Sequence, residues 1–248
     1  MNKTLVIQSH RSPLPFSWIA ECLGSVRDWS NTNGFEYCFL GDELFDALPD
    51  RFLELKNKSV IIATDLARLY VLKNYLLQGY EQVVWLDADF LVFDPEEFVL
   101  PTSQYAFGRE VWVQKDNSGK LRAYKKIHNA FMMFNKGNSF LDFYIETAER
   151  LLWKNTGSIP PQFIGPKLLT ALHNIALFPV MEEAAMLSPL VVKDIIKGAG
   201  TALDMFIAQS PSKISGANLC VSSCERGELV ENEIQHLITR LRSGEHIC

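Results

Sequence analysis

Apolar and polar positions along the 248-residue chain follow two periods, and the way these alternate predicts an ordered series of strands and helices. Residues 4–8 (TLVIQ) read as a strand. Residues 17–29 (SWIAECLGSVRDW) place apolar side chains near i, i+3, i+4 and i+7, the stripe of an amphipathic helix. A turn at 31–34 leads into a strand at 35–40 (FEYCFL), closed by Gly41 and Asp42. After a short apolar lead-in at 59–62, Thr64 is placed to cap a helix running to 78, with Gly79 as its stop. A strand at 83–86 follows directly. Strand, helix, strand, helix, strand is the order of a parallel α/β sheet, in which ligands bind beyond the carboxyl ends of the strands.

The second half is more mixed. Strands are expected at 105–113 and 130–134, with the polar stretch KDNSGK between them, and a helix at 139–154. SIPPQFIGP is a proline-rich loop, followed by a short helix at 167–177 and the strand-like FPVM. A last strand at 217–222 precedes a charged helix at 225–242. There is no internal repeat and no low-complexity linker, so one main domain is expected.

The stretch VVWLDADFLVFD, residues 83–94, sets two carboxylates at the end of a strongly apolar run. Unpaired carboxylates in such surroundings cost several kcal/mol or shift their pKa until they neutralise, so a positive charge is expected beside them. Side chains alternate along a strand, and Asp87 and Asp89 therefore point the same way. Two oxygen ligands so placed suit a hard divalent cation, Mn2+ or Mg2+, that also meets substrate phosphates. Asp65 and Arg68, at i and i+3, share one helix face leading to the same strand. Each of these features alone also has a bland reading, as strand-end acids facing water or as a local helical ion pair.

Together they carry a resemblance. The segment ATDLARLYVLKNYLLQGYEQVVWLDADFLVF, with Ala63, Thr64, Asp65, Arg68, Tyr70, Tyr75, Tyr80, Asp87 and Asp89, resembles the DXD region of glycosyltransferase family 32. Looser likenesses lie outside it. Asn129-Ala130-Phe131-Met132 is similar to the family's asparagine-bearing strand, and Gly165-Pro166 with Leu168-Leu169-Thr170 to its G-P-x-x-L-T turn. The resemblance implies a GT-A-like α/β fold, a mostly parallel central sheet flanked by helices. Its domain would span 1–224, with a nucleotide-sugar-binding half at 1–100, an acceptor half at 101–224 and a C-terminal helical tail at 225–248.

The implied activity is metal-dependent transfer of a sugar, with retention, from a UDP- or GDP-linked donor to a glycan or lipid-linked hydroxyl, as in polysaccharide biosynthesis. Asp87 and Asp89 would hold the cation, joined by Asn218, which stands where relatives carry a histidine. Asp87, Asp89 and Arg68 form the implied catalytic set. The donor would meet Gln8, His10, Asp65, Arg68, Asp87, Asn129 and Gly165. Two departures stand out: Asn218 itself, and Gln78-Gly79-Tyr80-Glu81 in place of a Gly-Gly pair. Asn218 raises the alternative of a non-catalytic nucleotide-sugar or glycan-binding relative. Were the reaction inverting, Glu110, Glu182 or Glu183 would be the acids to test as base.

Composition narrows the rest. A net charge of -5 argues against a nucleic-acid binder, and Lys125-Lys126 and Arg240/Arg242 are only local basic spots. No apolar run reaches the length of a membrane span and the N-terminus has no secretory pattern, which points to a cytoplasmic protein. Family habit adds peripheral contact with the inner membrane face. The five cysteines, Cys22, Cys38, Cys220, Cys224 and Cys248, are odd in number and scattered, which suits a reducing compartment. The C-x3-C of Cys220 and Cys224 lacks a second pair at zinc-site spacing. His10, His128, His173, His236 and His246 form no metal motif, and only His10 has a positional argument for function. Gly198-Ala199-Gly200 follows no first strand, which excludes a Rossmann dehydrogenase. A haloacid-dehalogenase-like phosphatase would need a late acidic pair of adjacent aspartates, which the chain lacks.

Overall fold

A computed structural model of the chain describes residues 3–244; His246, Cys248 and the end of the 225–248 segment lie outside the described residues. The centre is a six-stranded sheet in the order β2-β1-β3-β6-β5-β7. These strands are β1 (Thr4–Ser9), β2 (Glu36–Leu40), β3 (Gln82–Leu86), β5 (Tyr105–Lys115), β6 (Leu121–Asn135) and β7 (Val180–Met181). β1 pairs in parallel with β2 and β3, and β7 with β5, while β6 runs antiparallel to both β3 and β5. A second, three-stranded sheet joins β4 (Phe90–Val92), β9 (Gly216–Asn218) and β8 (Ala184–Met186).

The central sheet is covered on both faces, and strand parity shows how. Val83 and Trp85 of β3 enter a core with Leu66, Leu69 and Leu72 of helix α3 (Val60–Leu77) and Tyr144 of α4 (Ser139–Lys154). Val84 and Leu86 face the opposite way, onto Val26 and Trp29 of α1 (Trp18–Thr32) and onto Phe98. This double burial is why 83–86 reads as an unbroken apolar run. A third core packs α1 against α6 (Pro189–Lys197), α7 (Thr201–Gln209) and α9 (Glu231–Arg242). The C-terminal segment is therefore no free appendage: Ile234, Leu237, Ile238 and Leu241 of α9 are buried.

Two expectations shift. The helix before the Asp87 strand starts at Val60, not at Thr64, because Ser59 takes an extended backbone and its hydroxyl accepts from the Ile62 N–H at 3.4 Å. The apolar lead-in at 59–62 is thus that helix's cap and first turn, with Asp65 in its second turn and Arg68 at the start of its third. At the C-terminal end, the strand expected at 217–222 stops at Asn218 and gives way to the short helix α8 (Val221–Glu225), and the charged helix expected at 225–242 begins only at Glu231, as α9. KDNSGK proves to be the turn of one long hairpin, with β5 and β6 extending to either side of it. The remaining helices are α2 (Leu55–Lys58) and α5 (Pro166–Ala176).

Candidate active site

Beyond the carboxyl end of β3, the chain leaves the sheet at Asp87 and returns as β4 at Phe90. β6 runs antiparallel beside β3, so residues 129 and 130 arrive at this same end, and the Asp87 N–H donates to the Ala130 carbonyl at 2.9 Å. β6 changes partners here. Phe107 of β5 faces Met132, but Gly108 faces His128, so Asn129, Ala130 and Phe131 are left without β5 partners. The slip turns Asn129 into a cleft of about 550 Å³, whose walls include Asp65, Arg68, Asp87, Asp89, Glu110 and Asn218.

Arg68 organises the floor. Its guanidinium donates to Asp65 at 3.0 Å, to Asp87 at 3.0 Å and to the Asn129 carbonyl at 3.0 Å, and lies over the Trp85 ring. Burial opposes its charge, but Asp87 and Asp65 outweigh that, and the net shift of its pKa is upward. Asp65 Oδ1 also accepts from the Asn129 amide at 2.8 Å. Its Oδ2 is buried with no hydrogen-bond partner among the described residues. Burial raises the Asp65 pKa against the opposing pull of Arg68 and Asn129. Gly165 closes this corner: a Cβ there would stand 2.8 Å from Asn129 Nδ2 and 2.9 Å from Asp65 Oδ2. Only glycine leaves the pair room.

Asp87 Oδ1 takes the Arg68 bond and a second from the Trp85 indole at 2.7 Å, which leaves its other oxygen available. Asp89 is held from the far end of the chain, by the Asn218 amide at 2.6 Å and the Val221 N–H at 2.7 Å. Burial, and then the charge of Asp87, push Asp89 up to about 6. Asn218 turns its nitrogen to Asp89 while its oxygen accepts from the Cys220 N–H at 2.8 Å. In this arrangement the amide positions Asp89, and its oxygen is shared with the Cys220 N–H.

The residues fit a divalent cation on charge. Asp65, Asp87 and Asp89 face the single guanidinium of Arg68, so with all three ionised two negative charges stand uncompensated in a poorly solvated corner. The upward shift of Asp89 comes first from burial and only then from the charge of Asp87.

The other sequence candidates are less concentrated. Gln8 is fully buried: it donates to the Asp87 carbonyl at 3.0 Å and accepts from the Tyr37 hydroxyl at 3.0 Å, supporting the turn from behind. His10 follows β1, bonded through its ring to the Arg11 carbonyl at 3.0 Å, and is not among the residues lining the cleft. Glu110 does line it, paired with Lys126 at 3.3 Å, and burial raises its pKa against that lysine. Glu182 is held by Arg109 through two bonds of 2.7 and 2.9 Å, and Glu183 lines a different groove. Sequence reasoning passed over Trp112 and Lys126, although the alternation of Glu110, Trp112 and Gln114 with Val111 and Val113 announces one polar and one apolar face. It also passed over Arg226, which lines the cleft and for which no pattern in the sequence gives a signal.

No family model matches the sequence, and no curated protein matches it. Among solved structures, the chain is similar to a glycosyltransferase involved in the glycosylation of the major capsid of PBCV-1. The likeness has a TM-score of 0.51 at 12% identity, over 91% of this chain and 98% of that one. The fold is GT-A. Two further structures of this fold are the galactosyltransferase LgtC in complex with donor and acceptor sugar analogs, and GlyE of Streptococcus pneumoniae TIGR4 in its apo form. The LgtC likeness has a TM-score of 0.45 at 12% identity over 95% of each chain. The GlyE likeness has a TM-score of 0.47 at 7% identity, over 98% of this chain and 63% of that longer one. In this GT-A chain, the cleft lies at the carboxyl end of β3, where such sheets receive ligands.

Proposed function

We propose that the chain is a glycosyltransferase that moves a sugar from a nucleotide diphosphate sugar to a hydroxyl acceptor, with retention of configuration. One observation carries the reading: Asp65, Arg68, Asp87, Asp89 and Asn129 converge on one cleft, with a buried Asp65 oxygen left without a partner. A donor hydroxyl would give this oxygen the hydrogen bond that it lacks. Asn129 and Gly165 fix its position, and Arg68 holds Asp65 and Asp87 in register across the cleft floor.

Asp87 and Asp89 are the residues that would hold Mn2+ or Mg2+. When bound, such an ion neutralises the diphosphate and stabilises the charge left on it as the glycosidic bond breaks. Asn218 and the Val221 N–H keep Asp89 aimed. Glu110 lies on the acceptor side as a hydrogen-bonding acid rather than an assigned base. The GT-A fold of the capsid-glycosylating relative and the DXD resemblance both support this reading.

The test is calorimetric titration with UDP- and GDP-linked sugars, with and without Mn2+. Metal-dependent binding of one donor, followed by its turnover, is the expected result. A folded protein that binds no nucleotide sugar under either condition removes the proposal. Binding without any turnover would instead favour the non-catalytic relative.

A further inference from the structure

The β5–β6 hairpin extends past the sheet, and its two faces differ. Val111 and Val113 are buried against the third core. The alternate residues face the other way, and register sets them in three cross-strand rows: Glu110 opposite Lys126, Trp112 opposite Tyr124, and Gln114 opposite Arg122. The innermost row lines the cleft, as does Trp112, so the face is continuous with the site. From Glu110 to Gln114 it runs about 14 Å, at the usual rise of a strand.

The chemistry changes along this track. Glu110 is almost buried and bonded to Lys126, whose own side chain is 40% exposed. Next come two aromatic residues opposite each other across the strands, Trp112 half-buried and Tyr124 38% exposed, with the Lys126 ammonium 6.0 Å from the Tyr124 ring centroid. The Trp112 indole donates to Gln114 at 3.1 Å, which fixes its plane. Flat apolar rings bordered by hydrogen-bonding groups match a pyranose, which has one face of C–H bonds and a rim of hydroxyls. An alkyl chain would want a groove without charges, and every row here but the aromatic one carries a charged group.

We propose that this hairpin face is the acceptor subsite, and that it takes a carbohydrate chain of at least two sugar units. The terminal unit meets Glu110 and Lys126, and the next unit stacks on Trp112 and Tyr124. The assignment rests on the glycosyl-transfer reading above for its role, but not for its binding.

The experiment is donor-free binding of the full chain to an array of immobilised mono- to hexasaccharides, with the unfolding temperature recorded for each variant. Wild type retains glycans of two or more units. Trp112→Ala weakens that retention at least tenfold, while Trp112→Phe keeps it within about threefold. Tyr124→Ala, at a more exposed position, reduces binding of disaccharides and longer glycans more than binding of monosaccharides, and carries the test if Trp112→Ala does not fold. Equal retention by wild type and the alanine variants overturns the proposal, as does a folded protein that binds a nucleotide sugar but no glycan. Glycan binding through the hairpin without any nucleotide-sugar binding leaves the subsite standing and removes the transferase reading.

Discussion

Arg68 holds two carboxylates and a backbone carbonyl with one side chain that is 6% exposed. Arg68→Ala strands Asp65 in a buried corner, which is expected to cost about 3–5 kcal/mol, read as a lower denaturant midpoint. Arg68→Lys does not restore it, because an ammonium cannot span both acids as the planar fork does. Asp89→Asn behaves differently. It removes a charge that burial disfavours but turns one accepting oxygen into a donor facing Asn218 or the Val221 N–H. The metal-free unfolding midpoint therefore falls less than in Arg68→Ala, while metal-dependent turnover is lost. Turnover that survives the substitution would take Asp89 out of the cation site. The residues of this cluster were legible in the sequence where they sit close together, as with Asp65, Arg68, Asp87 and Asp89, or where a glycine marks a turn, as at Gly165. Gln8 is placed less directly by the sequence, because nearness to a strand end does not say which way the side chain points. Its parity carries it into the sheet, where it braces the Asp87 carbonyl.

At the scale of elements, the hinge of the site is the three-residue slip between β5 and β6. It depends on Gly108, where a Cβ would stand 2.1 Å from the His128 ring and 2.9 Å from the Ala184 carbonyl. Gly108→Ala is therefore expected to destabilise by more than about 2 kcal/mol and to misplace Asn129, lowering donor affinity along with stability. Calorimetric unfolding together with donor titration checks both, and a variant of wild-type stability would show that the ring can yield. Long periodic elements were readable in advance: α4 spans 139–154 as its apolar stripe indicates. β4, β7 and β8, of two or three residues each, are too short to show any period, and tertiary pairing alone defines them. The slip itself was invisible, since it depends on which neighbour β6 pairs with and not on β6's own pattern.

Across the whole molecule, the sheets, three cores and nine α-helices of the described residues close over one buried histidine. His128 has no exposure; its Nε2 bonds the Ala184 carbonyl at 3.0 Å and its Nδ1 accepts from the Ala130 N–H at 3.1 Å. Burial lowers its pKa from 6.5 to about 4. Below pH 6.5 the unfolded chain takes up a proton that the folded chain refuses, so this contribution is complete above 6.5 and is lost as pH falls towards 4. The difference amounts to about 3 kcal/mol. Asp89, pushed up to about 6, works in the opposite sense over the same interval, so the test is a comparison by urea unfolding. His128→Gln should lose less stability on acidification than wild type, and an unchanged slope would place the proton elsewhere. The pairing of Asp89 with Asn218 and Val221 has a different kind of consequence. These partners lie 129 and 132 positions further along the chain. Synthesis runs from the N-terminus, so the acid pair emerges from the ribosome long before the groups that aim it. A nascent chain halted short of residue 218 carries the aspartates without their brace, so the cation site proposed above would be completed only late in translation.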